Sequence, residues 1–242
     1  MNKEINSITN VLSIVDELQK EWGAELWWRG QSSKEYPLIP SVYRVNRGIR
    51  DEQNLSLRFR QYALTRHEKC PANDDYCSWL FLAQHYGLPT RLLDWSESPL
   101  VSLFFAVEKN NEEDGNLFIL NPREMNRIIN NDTALVLSSS SPAHELFLGA
   151  FDDRVKINKN ISILSHEIDT RMLAQQSVFT LHGNSNNLLE MMELKDVIRT
   201  LEIPKESKPK ILSELASLGI RRRTLFPDLD NLSMDLKQLL FS

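Results

Sequence analysis

The chain has 242 residues, of which 41% are hydrophobic and 25% are charged, and its formal net charge is −5 at pH 7. This length and apolar content can bury the core of one domain, or of one domain with a small appendage. The acidic balance argues against a broad nucleic-acid or membrane-binding surface, and no stretch approaches the roughly 18–20 uninterrupted apolar residues that a membrane-spanning helix requires.

An amphipathic helix is predicted near the amino terminus. Apolar residues recur at helical spacing from Val11 to Trp22, and Gly23 is expected to end the helix. We therefore assign residues 1–24 to a helical segment that packs on a domain, and residues 25–242 to the domain itself.

Two further helices are predicted on either side of a polar stretch. The first begins at Tyr76 and is ended by Gly87, whereas Ser98 is expected to cap a second helix whose first residue is Pro99. The intervening Thr90–Trp95 segment is interpreted as a loop. Its side chains are then held between two defined helix ends.

The remaining pattern mixes short strands with helices. Strands are predicted at Glu25–Arg29, Asn116–Leu120, Ala134–Leu137, Val178–His182 and Val197–Ile203. Further helices are predicted at Asp51–Lys69, at Pro209–Leu218 and at the leucine-rich carboxyl end, and the basic run Arg221–Arg223 is interpreted as a solvated strand or turn. Strands and helices do not alternate regularly, so the predicted fold class is α+β, a single domain of short mixed strands flanked by helices.

Arg29 is the first candidate for ligand recognition. It lies in a predicted strand between Trp28 and Gly30. A guanidinium held on a strand beside a small residue suits phosphate or carboxylate recognition, because it donates paired hydrogen bonds. An internal ion pair with Asp94 or another acid explains the same residue equally well.

The stretch from Gln84 to Trp95 concentrates polar side chains of several kinds. His85 can serve as a base or ligand, or can hydrogen-bond the end of its own helix. Arg91 and Asp94 are most simply interpreted as a structural ion pair that shapes the turn. This stretch marks a site more clearly than it identifies a reaction.

Several motifs resemble the FRG domain family, which is named for its aromatic-Arg-Gly motif. They are Trp28–Gln31, Leu38–Arg44, Gln84–Trp95, Ser98–Ala106, the spaced residues Arg171, Gln175 and Phe179, and Thr224–Leu229. The resemblance runs from about Glu25 to Asp230 and departs from the family pattern at Ser177, where glycine is favoured. It implies a bacterial or phage-associated intracellular module, linked in some members to defence or toxicity.

A more distant likeness to ADP-ribosyltransferases implies an ADP-ribosyltransferase-like fold and NAD as a substrate. Those enzymes use an early arginine, then a strand with serine or threonine before a helix, then a later acid. Arg29, the segment Thr90–Ser98 and Glu202 follow this order. In this interpretation Glu202 and His85 are catalytic, and the ligand contacts are Arg29, Gly30, Gln31, Gln84, Thr90, Arg91 and Asp94.

Two other functions remain open from the sequence. The same cleft can belong to a non-catalytic module that senses a nucleotide or a protein, or the polar residues can form an internal structural network. Cys70 and Cys77 match no common zinc spacing and give no disulfide framework, and the amino terminus lacks the pattern of a signal peptide. We therefore expect a cytoplasmic protein without a metal site.

Overall fold

One mixed β-sheet organises the computed structural model. The structure describes residues 4–23, 25–44, 49–138, 141–156, 158–165 and 169–241. The strands in these residues are β1 (Trp27–Gln31), β2 (Leu92–Ser96), β3 (Gly115–Leu120), β4 (Val136–Leu137), β5 (Asn160–Leu164), β6 (Ser177–His182) and β7 (Ile198–Ile203). Their order across the sheet is β4-β5-β6-β2-β1-β3-β7, and neighbouring strands are antiparallel except for the parallel pair β4 and β5.

Helices flank this sheet. They are α1 (Ile8–Trp22), α2 (Ser41–Arg44), α3 (Ile49–Ala63), α4 (Tyr76–His85), α5 (Pro99–Val107), α6 (Pro122–Asn130), α7 (Ser141–Leu148), α8 (Thr170–Gln175), α9 (Lys208–Ser217), α10 (Arg222–Leu225) and α11 (Leu229–Phe241). Together with the sheet they confirm the predicted α+β class. In the described ranges, no helix combines the length and the apolar character needed to cross a membrane.

The predicted amino-terminal helix is confirmed as α1. Gly23 ends it in the left-handed conformation, with φ of +58°. Val11 and Leu18 are buried in the same apolar core as Trp28 of β1. Helix α1 therefore packs on the face of the sheet to which the Trp28 side chain belongs. The proposed division of the chain at residues 24 and 25 stays a prediction.

The two faces of the sheet carry separate apolar cores. Trp27 and Trp28 lie on opposite faces, because successive side chains of a strand alternate. On the face of Trp28, one core forms with α1, α5 and α9, and a second core with α4 and α7 contains Leu92 and Phe179. On the other face, Trp27 shares a third core with Trp95. The first two cores leave a seam over the middle of the sheet, and the candidate site lies on this seam.

The polar segment that was predicted to be a loop is largely a central strand. Within Thr90–Trp95, the residues from Leu92 onward form β2, which pairs with β6 on one side and with β1 on the other. The loop prediction was wrong because Asp94 interrupts the apolar pattern, whereas the pairing with β6 that fixes the strand is remote in sequence. Strand β5 was missed altogether.

The basic run near the carboxyl end is also different from its prediction. Arg222 and Arg223 lie in helix α10 rather than in a strand or turn. Arg222 donates to Glu108 at 2.7 Å and its guanidinium lies 4.8 Å from the ring centre of Phe226. Arg222, which was predicted to be solvated, is therefore held by an ion pair and by an aromatic ring.

Candidate functional site

Gly30 allows helix α5 to lie directly on strand β1. A Cβ atom at this position would approach the main-chain oxygen of Ser102 to 1.8 Å and the nitrogen of Ala106 to 2.7 Å. No side chain fits in that space. Helix α5 begins at Pro99 because the Ser98 side chain accepts a hydrogen bond from the Val101 N–H and a proline is favoured in the first turn of a helix.

Arg29 lies where β1 and β2 separate. The register between these strands is a single pair, Trp28 with Ser96. Beyond it, the Arg29 guanidinium donates to the main-chain oxygen of Asp94 at 2.6 Å and stands 3.9 Å from its carboxylate. Burial lowers the pKa of Arg29 to about 10, so the group stays charged at neutral pH. Its Nε is buried and has no hydrogen-bond partner in the described structure.

A chain of side-chain hydrogen bonds fixes the Asp94 carboxylate. The Thr90 hydroxyl donates to Oε1 of Gln84, and Nε2 of Gln84 donates to Oδ1 of Asp94 at 2.5 Å. Gln84 is set by the end of α4, where Gly87 adopts φ of +81° and the N–H of Leu88 reaches back to the oxygen of Ala83. The Asp94 side chain nevertheless remains 61% exposed. A carboxylate is thus held in position and open to solvent.

These groups line a cleft of about 270 Å³. Arg29 and Asp94 lie on the sheet side, Gln84 comes from α4, and Arg171 and Gln175 come from α8. The guanidinium of Arg171 lies 4.5 Å from the ring centre of Phe226. The side chains of Phe105, Ser102 and Ser177 complete much of the wall. The residues that line this space therefore include two arginines and one aspartate with an exposed carboxylate.

A smaller lobe of about 50 Å³ adjoins the cleft and shares Gln84 and Asp94 with it. His85 and Asp169 line this lobe, and Nδ1 of His85 lies 2.6 Å from Oδ2 of Asp169. Within the described ranges, no three His, Cys, Asp or Glu side chains come close enough together to hold a metal ion.

Part of the chain that lines the cleft is similar to a known domain family. Residues 24–115 match the family model of the FRG domain. This segment of the chain is similar to the FRG domain. Neither the curated proteins nor the solved structures give a significant match. The matched FRG segment supplies β1, α4, β2 and α5, whereas Arg171 and Gln175 lie beyond it.

Four of the ligand contacts predicted within the FRG segment line the cleft. They are Arg29, Gly30, Gln84 and Asp94. His85 lines the adjoining lobe, and the buried Thr90 acts behind the wall by contacting Gln84. Gln31 is only 4% exposed and turns its amide toward the oxygen of Pro37, 3.5 Å away, so it does not line the cleft.

Arg91 is buried and does not line the cleft. Its guanidinium donates to both carboxylate oxygens of Glu52, with NH2 at 2.7 Å from Oε2, and to the main-chain oxygens of Leu146 and Gly149. The predicted Arg91–Asp94 pair was therefore wrong in its partner. The short sequence separation favoured Asp94, whereas the fold brings Glu52 to Arg91 from α3.

Glu202 lies away from the cleft. It is on β7, the edge strand, and β3 separates this strand from β1. Its Oε1 is 3.5 Å from Nζ of Lys34, which also donates to Asp114 at 2.9 Å. The residues around the cleft do not include Glu202. Its strand was predicted well, but the position of that strand in the sheet was not available from the sequence.

Sequence reasoning did not assign Arg171, Gln175 and Ser177 to the site. They come from α8 and the start of β6, more than seventy residues after the Gln84–Trp95 stretch. The signal that could have marked Arg171 and Gln175 is their spacing of one helical turn. That spacing puts both side chains on the side of α8 that faces the cleft.

Proposed function

We propose that the cleft binds a ligand of the nucleotide class and that this ligand is NAD. The observation that carries the proposal is the exposed carboxylate of Asp94, which is held between the amide of Gln84 and the guanidinium of Arg29. Carboxylates in nucleotide sites accept hydrogen bonds from ribose hydroxyls. Arg29 and Arg171 also line the cleft and supply positive charge there.

Each part of a nucleotide has a matching group in this arrangement. Arg171 suits a phosphate, since a guanidinium donates two parallel hydrogen bonds. Phe105 is half-buried at the wall and offers a ring for stacking. The cleft volume of about 270 Å³ is slightly below the usual range of small-molecule sites, about 300–1,000 Å³. One of the two mononucleotides of NAD therefore fills the cleft, and the other lies along its rim.

The proposed reaction breaks the bond between nicotinamide and ribose. Nicotinamide leaves with the electron pair of that bond, and positive charge develops at the C1′ carbon of the ribose. A fixed carboxylate stabilises such a centre more in the transition state than in the ground state. Asp94 therefore takes the role that the sequence had suggested for Glu202. We assign the activity to bacterial or phage defence, as the family resemblance implies.

A second candidate is a non-catalytic sensor that uses the same cleft. The separation of Glu202 from the cleft favours it, because the acid suggested by the transferase-like order is then missing from the binding site. Such a module binds the nucleotide and forms no product.

The test compares nicotinamide release with ligand binding. We expect the purified chain to release nicotinamide from NAD, and Asp94→Asn to lower that rate by about 100-fold, the size of effect seen when one fixed electrostatic contact is lost. Binding of ADP-ribose, measured by calorimetry, should weaken much less. Glu202→Gln is the matched control and should keep the wild-type rate.

Three results would contradict the proposal in different ways. Binding of NAD without nicotinamide release favours the sensor. Absence of both binding and release removes the nucleotide proposal. Loss of release in Glu202→Gln, but not in Asp94→Asn, returns the catalytic role to the acid at the sheet edge.

A further inference from the structure

The two carboxylate oxygens of Asp169 contact different helices. Oδ1 accepts from the N–H of Met172 at 2.8 Å and so caps helix α8. Oδ2 lies 2.6 Å from Nδ1 of His85 at the end of α4. The carboxylate therefore links the two helices on one side of the smaller lobe.

This contact determines which nitrogen of His85 can accept a proton. A carboxylate partner places the hydrogen of the neutral ring on Nδ1 and leaves the lone pair on Nε2. Nε2 has no hydrogen-bond partner in the part of the chain that the structure describes. The side chain is 32% exposed and lines the lobe that shares Gln84 and Asp94 with the cleft.

We propose that His85 is the general base of this cleft and that Asp169 is its positioning residue. The inference rests on the proposed cleavage of NAD. A water oxygen bonds to C1′ of the ribose while the bond from C1′ to nicotinamide breaks and its electron pair goes to the nicotinamide nitrogen. The proton of the water goes to Nε2 of His85. ADP-ribose and nicotinamide are the products.

Asp94 is poorly suited to take this proton. Its Oδ1 already accepts from Gln84, and its Oδ2 stands 3.9 Å from the Arg29 guanidinium. His85 instead has Nδ1 held by Asp169 and Nε2 left for another partner. Two titratable groups in different environments thus divide the work, Asp94 stabilising positive charge and His85 accepting the proton.

Asp169→Asn tests the positioning role without removing the helix cap. Its amide oxygen can still accept from Met172, but its NH₂ group meets Nδ1 of His85 and forces the ring hydrogen to Nε2. We expect kcat for nicotinamide release to fall by about 100-fold, and His85→Gln to show a similar loss, the lower end of the usual contribution of a general base. KM for NAD should stay within about twofold.

Asp75→Asn is the matched control. Asp75 caps α4 through the N–H of Ser78 at 3.0 Å, and the described structure gives it no histidine partner. It should keep the wild-type kcat. Nitrogen-15 spectra of the imidazoles provide a readout independent of turnover: the neutral His85 ring should carry its hydrogen on Nδ1 in the wild type and on Nε2 in Asp169→Asn.

The outcomes separate this inference from the function on which it rests. A wild-type protein that releases no nicotinamide overturns the proposed cleavage, and the base with it. A wild-type protein that turns over while His85→Gln and Asp169→Asn retain its kcat overturns the base alone. A wild-type His85 with its hydrogen on Nε2 overturns the positioning role. If Asp169→Asn does not fold, His85→Gln and the wild-type spectrum still decide.

Discussion

The aromatic-Arg-Gly motif gives three consecutive residues three different physical tasks. Trp28 is buried in the core with α1, Arg29 places a charged group where β1 and β2 separate, and Gly30 leaves room for α5. Arg29 and Gly30, both predicted from the sequence as ligand contacts, line the cleft. The sequence could not show why a glycine is needed at position 30, because helix α5, which lies against it, is about seventy residues further along the chain.

Gly30→Ala should therefore destabilise the protein. The new methyl group would meet the main-chain oxygen of Ser102 at 1.8 Å, and neither backbone can move without displacing α5. We expect the free energy of unfolding, measured by urea denaturation, to fall by about 3 kcal/mol or more, the upper end of the cost of overfilling a core.

Gly23→Ala is the matched control for this substitution. A Cβ atom at Gly23 meets nothing within 4 Å, but φ is +58°, so only backbone strain opposes the change. We expect a cost of about 1 kcal/mol there. An equal or smaller loss for Gly30→Ala would contradict the close approach of α5.

At the scale of elements, local patterns located most of the helices and strands, but not the one that matters most for the site. Caps and apolar spacing predicted α1, α4 and α5 to within a few residues. Strand β2 was missed because Asp94 is exposed on a strand whose neighbours are buried. Its stability comes from β6, a pairing over some ninety residues that no local pattern contains.

Helix α3 is joined to β2 by the buried pair of Glu52 and Arg91. Glu52 is fully buried and Arg91 is 3% exposed, and the arginine also donates to two main-chain oxygens beside α7. Glu52→Gln removes the negative charge and keeps the shape, so Arg91 remains buried without its counterion. We expect the free energy of unfolding to fall by about 3–5 kcal/mol.

The matched control is Glu124→Gln, which breaks the exposed pair with Arg127 on α6. Water solvates both groups after that change, so urea denaturation should show little difference from the wild type. A similarly small effect of Glu52→Gln would mean that the buried pair does not hold α3 to the sheet.

At the scale of the whole molecule, the site is assembled from segments that the sequence keeps far apart. The matched FRG segment supplies Arg29, Gln84 and Asp94, whereas Arg171 and Asp169 come from α8 and the residue before it. The sequence could therefore predict one wall of the cleft from the concentrated motif. The opposite wall depends on the packing of α8 against β2 and β6, which is a property of the complete fold.

The stability of the folded molecule should depend on pH through His182. This residue lies on β6 and is fully buried, with Nε2 at 2.9 Å from the hydroxyl of Thr180, which also accepts from the Trp95 indole. Burial, with a smaller contribution from the positive charge of Arg29, lowers the pKa of His182 to about 3. The unfolded chain has the ordinary value near 6.5, so only the unfolded state takes up this proton as the pH falls.

The contribution of neutral His182 to the free energy of unfolding is therefore fully present above about pH 6.5. It falls by about 1.4 kcal/mol per pH unit as the pH is lowered from there to about pH 3. Carboxylates with a lowered pKa, such as Asp152, lose their contribution only below about pH 4, where the unfolded acids become protonated. Urea denaturation between pH 6 and 4.5 thus isolates the histidine. His182→Gln, which does not titrate, should flatten the dependence of stability on pH in this window. If the slope is the same in both proteins, His182 does not remain neutral in the folded state.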